Sequence, residues 1–124
     1  MSEVIAESDA EELISAARTA IGDELRSVTY FTPDGYEQVY LRSDLEPGAN
    51  LEAFVDNERL GFQSQHTYGD TELGEYRANV RIFEYGYITR VIVGDEGVFV
   101  TTDEMSIDRF EEVAAALRGV LSEP

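Results

Sequence analysis

The sequence contains no cysteine, no lysine and a single histidine, and these shortages narrow what the protein can be. Without cysteine there is no disulfide framework, no thiol nucleophile and no cysteine-ligated metal. No apolar run approaches the roughly 20 residues that a membrane-spanning helix needs, which excludes that class of protein. The first residues, Met1 to Val4, lack the basic and apolar stretches of a secretory signal, so the sequence predicts a cytoplasmic protein.

The charge is strongly one-sided: 26 acidic residues stand against nine basic ones, all arginine, for a formal net charge of −17. Lysine is ordinarily among the commonest residues, so its complete absence needs a cause. In dilute buffer so much like charge would strain a small fold. At about 1 M salt the Debye length is about 3 Å and the repulsion is largely screened. Losing lysine also removes long apolar stems from the surface. The composition therefore indicates the cytoplasm of an extreme halophile.

The acidic balance also argues against nucleic acid, because contact with phosphates is normally made by clustered lysine and arginine. Aromatic side chains could instead stack on bases, as in sheet-based single-strand binders. The candidates are Tyr76, Phe83, Tyr85, Tyr87 and Phe99. Rings around a small sheet are more typical of a core, and RNA-recognition signatures are absent. We expect no nucleic-acid partner.

Length and composition predict one domain over residues 1–124, because 124 residues with 43% apolar content suffice for a core. Residues 1–7 are expected to be frayed. A capping box at Ser8 and Glu11 then begins a first helix, in which each side chain satisfies a free backbone donor. Gly22 is placed to end that helix.

The middle of the chain alternates strand and helix signals. Alternating residues predict a hairpin of strands 27–32 and 36–42. A shorter helix, capped by Asn50, is expected to stop at Gly61. Residues 63–75 show no clean period and are expected to form an irregular loop of the kind that is often functional.

Three strands and a helix are predicted for the remainder of the chain. The strands are 76–83, 87–93 and 98–102, and the helix runs from near Ser106 to about Leu121. Short hairpin connections make neighbouring strands antiparallel. The predicted fold is therefore α+β: a central antiparallel five-stranded sheet with helices on both faces, in the order α-β-β-α-β-β-β-α.

The predicted register divides the side chains between two sheet faces. Tight turns at Tyr85-Gly86 and Asp95-Glu96 pair Val80 with Val91 and Val91 with Val100, which gives one face suited to the long terminal helices. The reverse face carries an apolar patch that the second helix or another chain must cover. Its members are Phe83, Ile88, Ile92 and Phe99.

Arginines interrupt that reverse face. The register places Arg81 directly opposite Arg90, with Arg77 two residues away on the same strand. Like charges destabilise facing strands unless an anion or an acid lies between them. Since the guanidinium fork suits carboxylate and phosphate, the trio is a candidate site for an anion or an acidic partner. Ion pairing with the chain's own acids is the alternative.

The order of elements resembles that of the roadblock and longin group of profilin-like domains over nearly the whole chain. Those domains are regulatory and scaffolding modules that commonly dimerise, so the resemblance implies a non-enzymatic, homodimeric protein. The segments Tyr36-Glu37-Gln38-Val39-Tyr40-Leu41-Arg42 and Arg77-Ala78-Asn79-Val80-Arg81-Ile82-Phe83 together also look like a small, uncharacterised haloarchaeal family. That second resemblance implies no particular activity.

Catalytic signals are few. His66 is the only side chain with an ordinary pKa near neutrality. A general base at His66, oriented by Asp70 and acting on Ser64 or Thr67, is one interpretation. No Gly-x-Ser-x-Gly elbow is present to support a nucleophile, so an exposed loop histidine is our expectation.

Metal and phosphate motifs are missing as well. Asp70, Glu72 and Glu75 are spaced without the order of a calcium loop, and acids at this density are typical of a solvated halophilic surface. Gly94 and Gly97 fit a hairpin turn better than a phosphate-binding loop. We predict no catalytic residue, no metal and no cofactor.

The function favoured by these features is a non-enzymatic interaction or regulatory module, bound to itself as a homodimer or to an acidic protein, with no membrane contact. The predicted contact residues are Phe83, Ile88, Ile92 and Phe99, with Arg81 and Arg90 as polar anchors and Arg77 beside them. The alternative is a small-molecule or anion-binding domain, or a minor enzyme using residues 63–75 around His66. Complete sealing of the reverse face by the second helix would favour that alternative.

Overall fold

A computed structural model describes residues 4–46, 50–69, 71–105 and 109–122. Within these ranges one antiparallel sheet is built from β1 (Leu25–Phe31), β2 (Tyr36–Leu41), β3 (Asn79–Ile82), β4 (Gly86–Val93) and β5 (Glu96–Asp103). The strands lie side by side in the order β2-β1-β5-β4-β3. The helices are α1 (Glu7–Ile21), α2 (Leu51–Arg59), α3 (Gly61–Tyr68) and α4 (Arg109–Ser122). The predicted α+β architecture is confirmed.

The two long helices, α1 and α4, cover one face of the sheet. Leu13 and Ala17 of α1, and Val113 and Leu117 of α4, are spaced four residues apart and fully buried. They pack against four sheet residues that point to the same side: Val28, Val91, Val98 and Val100. Each fully buried valine or leucine contributes about 1.5–3 kcal/mol, so this layer holds most of the hydrophobic core.

The other face is covered by α2 and α3. Val55 is fully buried there, and Leu51, Phe54 and Phe62 pack around it against the sheet. As expected, α2 ends just before Gly61, but α3 begins at that residue. The segment 63–75, expected to be an irregular loop, is therefore helical as far as Tyr68. A Cβ at Gly61 would overlap the Arg90 guanidinium. This glycine therefore permits a close approach rather than a chain reversal.

The start of the chain is packed rather than frayed from residue 4 onward. Ile5 is buried in the core, and the Val4 N–H donates to Glu37 Oε1 at 3.3 Å. α1 begins at Glu7, one residue before the predicted cap, and its N-cap residue Ala6 makes no side-chain hydrogen bond to the helix. The expected capping box at Ser8 is therefore not formed.

Other helix ends agree only in part with the sequence. Gly22 does end α1, with a φ of 81° that suits glycine. Asn50 precedes α2 but makes no side-chain cap. Residues 1–3, the break at Pro47-Gly48 and the predicted helix start at Ser106 lie outside the described residues.

The strand register differs from the prediction by two residues. The β3–β4 hairpin turns at Glu84-Tyr85, so Val80 pairs with Thr89 and Arg81 pairs with Ile88. The β4–β5 hairpin is displaced in the same way, pairing Val91 with Val98. Because side chains alternate with a period of two, each residue stays on its predicted face. β3 is also shorter than the predicted strand 76–83.

Candidate functional site

The predicted contact surface on the reverse face is largely closed by this chain itself. Ile88, Ile92 and Phe99 are 4%, 1% and 1% exposed beneath α2 and α3. These three are core residues, which corrects their interpretation as a contact surface. Phe83 alone of the four remains at the surface, with half of its side chain exposed.

Arg81 and Arg90 converge on one carboxylate, that of Glu58 on α2. Arg81 Nε lies 2.7 Å from Glu58 Oε2, and Arg90 Nη1 lies 3.2 Å from Glu58 Oε1. Glu58 and Arg90 are both almost fully buried, whereas Arg81 is partly exposed. The two arginines are not opposite each other as predicted, because the register shift makes them diagonal neighbours. The alternative expectation, that the arginines form ion pairs with an acidic residue of the same chain, agrees with this geometry.

Further hydrogen bonds tie this charged cluster to α3 and β3. Arg90 Nη2 donates to Tyr76 Oη at 2.8 Å, and Tyr76 Oη donates to Asn79 Oδ1 at 2.8 Å. Gln65 Nε2 on α3 donates to the Tyr76 carbonyl at 3.0 Å. The cluster therefore fastens the α2–α3 layer to the sheet. Arg77 is exposed and contributes nothing to these bonds.

Glu58 was missed by the sequence analysis, although its position carries a signal. It follows Leu51, Phe54 and Val55 at spacings of seven, four and three residues, so it lies on the apolar side of α2. A carboxylate on such a stripe needs a buried partner. The arginines of the reverse face are those partners.

His66 lies exposed on α3, not in a loop. Ser64 and Thr67 are two residues before it and one after it, spacings at which helical side chains do not face each other. Asp70 lies outside the described residues. The positions of these side chains on α3 therefore do not support the interpretation of His66 as a general base. Among the described residues no group of three or more His, Asp or Glu side chains could hold a metal ion.

A cleft of about 510 Å³ remains open on the reverse face, where the N-terminal end of α2 stands over the sheet. Leu51 and Phe54 of α2 form one side, and Phe83 and Tyr85 of the β3–β4 hairpin form another. Polar side chains lie among the sheet residues that line it: Ser27, Gln38 and Thr101. The second layer therefore seals the reverse face only in part.

An ion-pair network lies beside this cleft. Asp103 accepts from Arg42 Nη1 at 2.7 Å and from Arg26 Nη1 at 2.9 Å, and Arg42 Nε also reaches Asp44 at 2.7 Å. The hydrogen bond from Arg42, supported by that from Arg26, holds the pKa of Asp103 below its usual value. The positive charge of Arg26 is therefore already compensated by an ionised carboxylate.

β3 forms an outer edge of the sheet and carries exposed apolar side chains. Ile82 is 73% exposed and Val80 is 37% exposed, and Tyr85 in the adjoining turn is 78% exposed. One side of the β3 backbone has no strand partner within the described chain. Natural edge strands usually avoid this combination, because an apolar edge invites pairing with another chain.

Comparison with known proteins assigns the chain to a family. Residues 11–122 match the family model "Domain of unknown function (DUF7522)". The chain belongs to this family. No curated protein matches this DUF7522 chain. Among the described residues, every helix is too short or too polar to cross a bilayer.

Solved structures show which fold this DUF7522 domain has. The gliding protein MglB from Thermus thermophilus superimposes with a TM-score of 0.59 at 14% identity, over 96% of this chain and 95% of that one. A structure described as MglB with tetrameric arrangement gives 0.59 at 13% identity, over 96% and 94%. A roadblock/LC7 domain from Streptomyces avermitilis gives 0.53 at 15% identity, over 86% and 92%. The roadblock resemblance drawn from the element order is thus confirmed at the level of the fold.

Proposed function

We propose that this chain is a non-enzymatic interaction or regulatory module that acts as a homodimer, joined through the β3 edge, in the cytoplasm of a halophilic organism. The observation that carries the proposal is the apolar edge strand, with Ile82 73% exposed beside a backbone edge that has no strand partner among the described residues. A second copy would satisfy the backbone and bury the side chains together. The tetrameric arrangement reported for MglB is consistent with self-association in this fold.

The opposite edge of the sheet is better protected. Side chains from Glu37 to Leu41 on β2 are all partly buried. Glu37 also holds the backbone of Val4, which ties the N-terminal segment to this strand. The pairing of β2 with β1 is irregular between Val28 and Thr29, and such irregularities disfavour edge-to-edge contact. β3 is therefore the preferred edge for a partner.

A two-fold axis restricts how two β3 strands can pair. Directly opposed residues of an antiparallel pair point to the same sheet face. Because side chains alternate along β3, two opposed residues from the two copies must both have even residue numbers or both have odd ones. With the axis at Arg81, Val80 of one protomer faces Ile82 of the other. Two Arg81 residues then meet at the axis. Each is bound by the Glu58 of its own protomer, and molar salt screens the repulsion that remains between them.

Salt should strengthen this dimer. Each chain has a formal net charge of −17, so two copies repel each other in dilute buffer. Because the Debye length falls to about 3 Å at 1 M salt, the long-range repulsion is then screened while apolar burial remains. We expect the dimer fraction to rise between low and molar KCl.

The test is the molar mass by analytical ultracentrifugation across a concentration series in molar KCl. We expect a dimer that Ile82→Glu converts to a monomer, since the new carboxylate would be buried at the interface. Leu73→Glu is the matched control, because Leu73 is 93% exposed and lies outside the edge. A monomeric wild type throughout the series, or equal masses for the two variants, would refute the β3 dimer.

A further inference from the structure

The cleft beside α2 has the dimensions of a small-molecule site. Its volume of about 510 Å³ falls within the 300–1,000 Å³ typical of ligand pockets. Such pockets combine apolar walls with a few polar groups that orient the ligand. Here Leu51 and Phe54 supply apolar surface, and the Ser27 and Thr101 hydroxyls meet at 2.6 Å in the sheet below.

Three aromatic rings in the cleft lining lack a ring partner within the described chain. Phe54, Phe83 and Tyr85 line the cleft, whereas the ring pairs of the described residues all involve other side chains. Phe83 and Tyr85 are 50% and 78% exposed. Aromatic rings gain from contacts at centroid distances of about 4.5–7 Å. A flat ring entering the cleft would supply such contacts and remove both side chains from water.

The charges around the cleft favour a cation. Arg26 is the only basic residue in the described lining, and Asp103 compensates it at 2.9 Å. Glu46 and Glu84 are exposed carboxylates of the lining and form no ion pair with described residues. The electrostatic potential at the cleft is therefore negative, which agrees with the negative net charge of the whole chain. Aromatic faces add to the attraction for an organic cation.

We propose that this cleft binds a small organic cation bearing a flat ring. The ring lies against Phe54, Phe83 and Tyr85, and the positive group faces Glu46 and Glu84. Anions such as nucleoside phosphates are disfavoured, because the Arg26 charge is engaged. The site is independent of the β3 dimer, although Phe83 and Tyr85 lie near that edge.

Three probes that share a benzene ring but differ in charge test the proposal: benzyltrimethylammonium, benzyl alcohol and benzoate. Each is titrated into the full chain at one fixed KCl concentration, the lowest at which circular dichroism shows the chain to be folded, because molar salt would screen the exposed carboxylates. Backbone amide shifts are followed by NMR. We expect saturable shifts around Glu84 and Thr101, with the cation binding about tenfold more tightly than benzoate. Shifts that do not saturate, equal affinity for the three probes, or tightest binding of benzoate would each overturn the proposal.

Two variants and a control locate the binding. Tyr85→Ala and Glu84→Gln should each weaken benzyltrimethylammonium binding several-fold, and Glu84→Gln should leave benzyl alcohol binding unchanged. Tyr68→Ala is the control, because Tyr68 is 58% exposed on α3 and does not line the cleft. Equal losses in Tyr68→Ala and Tyr85→Ala would place the ligand elsewhere. The molar mass of each sample is measured in parallel, which separates a lost site from a lost dimer.

Discussion

Replacing Glu58 by glutamine removes the carboxylate that joins Arg81 and Arg90 between α2 and the sheet. The substitution keeps the size of the side chain, and its amide oxygen can still accept one hydrogen bond. It leaves the positive charge of Arg90 uncompensated, however, and Arg90 is only 3% exposed. The loss measured is therefore the cost of an unpaired buried charge rather than that of a missing contact.

The magnitude follows from the burial of both partners. Removing one member of a buried ion pair costs about 3–5 kcal/mol. Domains of this size have total unfolding free energies of about 5–15 kcal/mol, so Glu58→Gln removes a large part of the stability. Arg81→Gln should cost only about 0–1 kcal/mol, because the Arg81 side chain is 37% exposed and Glu58 keeps Arg90 as its partner.

Urea unfolding followed by circular dichroism, at one fixed molar KCl concentration, measures these differences. Molar salt weakens exposed ion pairs far more than buried ones, so the gap between the two variants should persist there. The double variant Glu58→Leu/Arg90→Met should recover most of the loss, because apolar residues of similar volume can replace a buried pair. A loss in Glu58→Gln no larger than that in Arg81→Gln would refute a structural role for the cluster.

Two smaller predictions concern the sheet. Gly97→Ala places a Cβ into the ring of buried Phe31 and should lower the free energy of unfolding by about 1–3 kcal/mol. Gly119→Ala, in open space on α4, should raise it by about 0.5–1 kcal/mol. Thermal unfolding measures both changes, and equal effects would contradict this packing. Burial and a 2.7 Å hydrogen bond to Glu96 raise the pKa of Tyr30, so this side chain should be the last of the seven tyrosines to ionise in an absorbance titration. The neutral Tyr30 side chain contributes fully to stability below the unfolded pKa of about 10, and this contribution is lost as the pH rises through the higher folded pKa. Glu96→Gln should lower the folded pKa of Tyr30. Simultaneous ionisation of all tyrosines would contradict the prediction.

Two glycines have roles that their local sequence does not indicate. The local pattern predicts that Gly61 ends a helix and that Gly86 occupies a turn, which are usual roles of this residue. α2 does end just before Gly61, but α3 begins at Gly61 itself. In the structure, a Cβ at Gly61 would overlap Arg90 and one at Gly86 would overlap the Thr102 backbone. Each glycine serves a tertiary approach that a local pattern does not reveal. The faces were nevertheless predicted correctly, because the resulting register shift is an even number of residues.

Local sequence also could not reveal α3. Its apolar content is confined to Phe62 and Tyr68 among polar neighbours, so no helical stripe is visible. Contacts from elsewhere hold it: the Phe62 ring packs edge-on against Phe31 at 5.5 Å, and Gln65 bonds to Tyr76. The arginines were a valid signal for a charged cluster. Their actual partner, Glu58, depends on where the second helical layer lies.

The position of β5 at the centre of the sheet has a consequence for synthesis. β1 pairs with β5 across wide sequence separations, such as the 74 residues between Ser27 and Thr101. As the chain leaves the ribosome, β1 and β2 emerge long before residue 103, so β1 has no inner neighbour during that interval. Six of the seven β1 residues are buried in the finished sheet, so an apolar strand edge is exposed to solvent throughout that interval. Because molar salt screens the repulsion between negatively charged chains, we expect unfinished chains to associate through this edge more readily at high salt than at low salt.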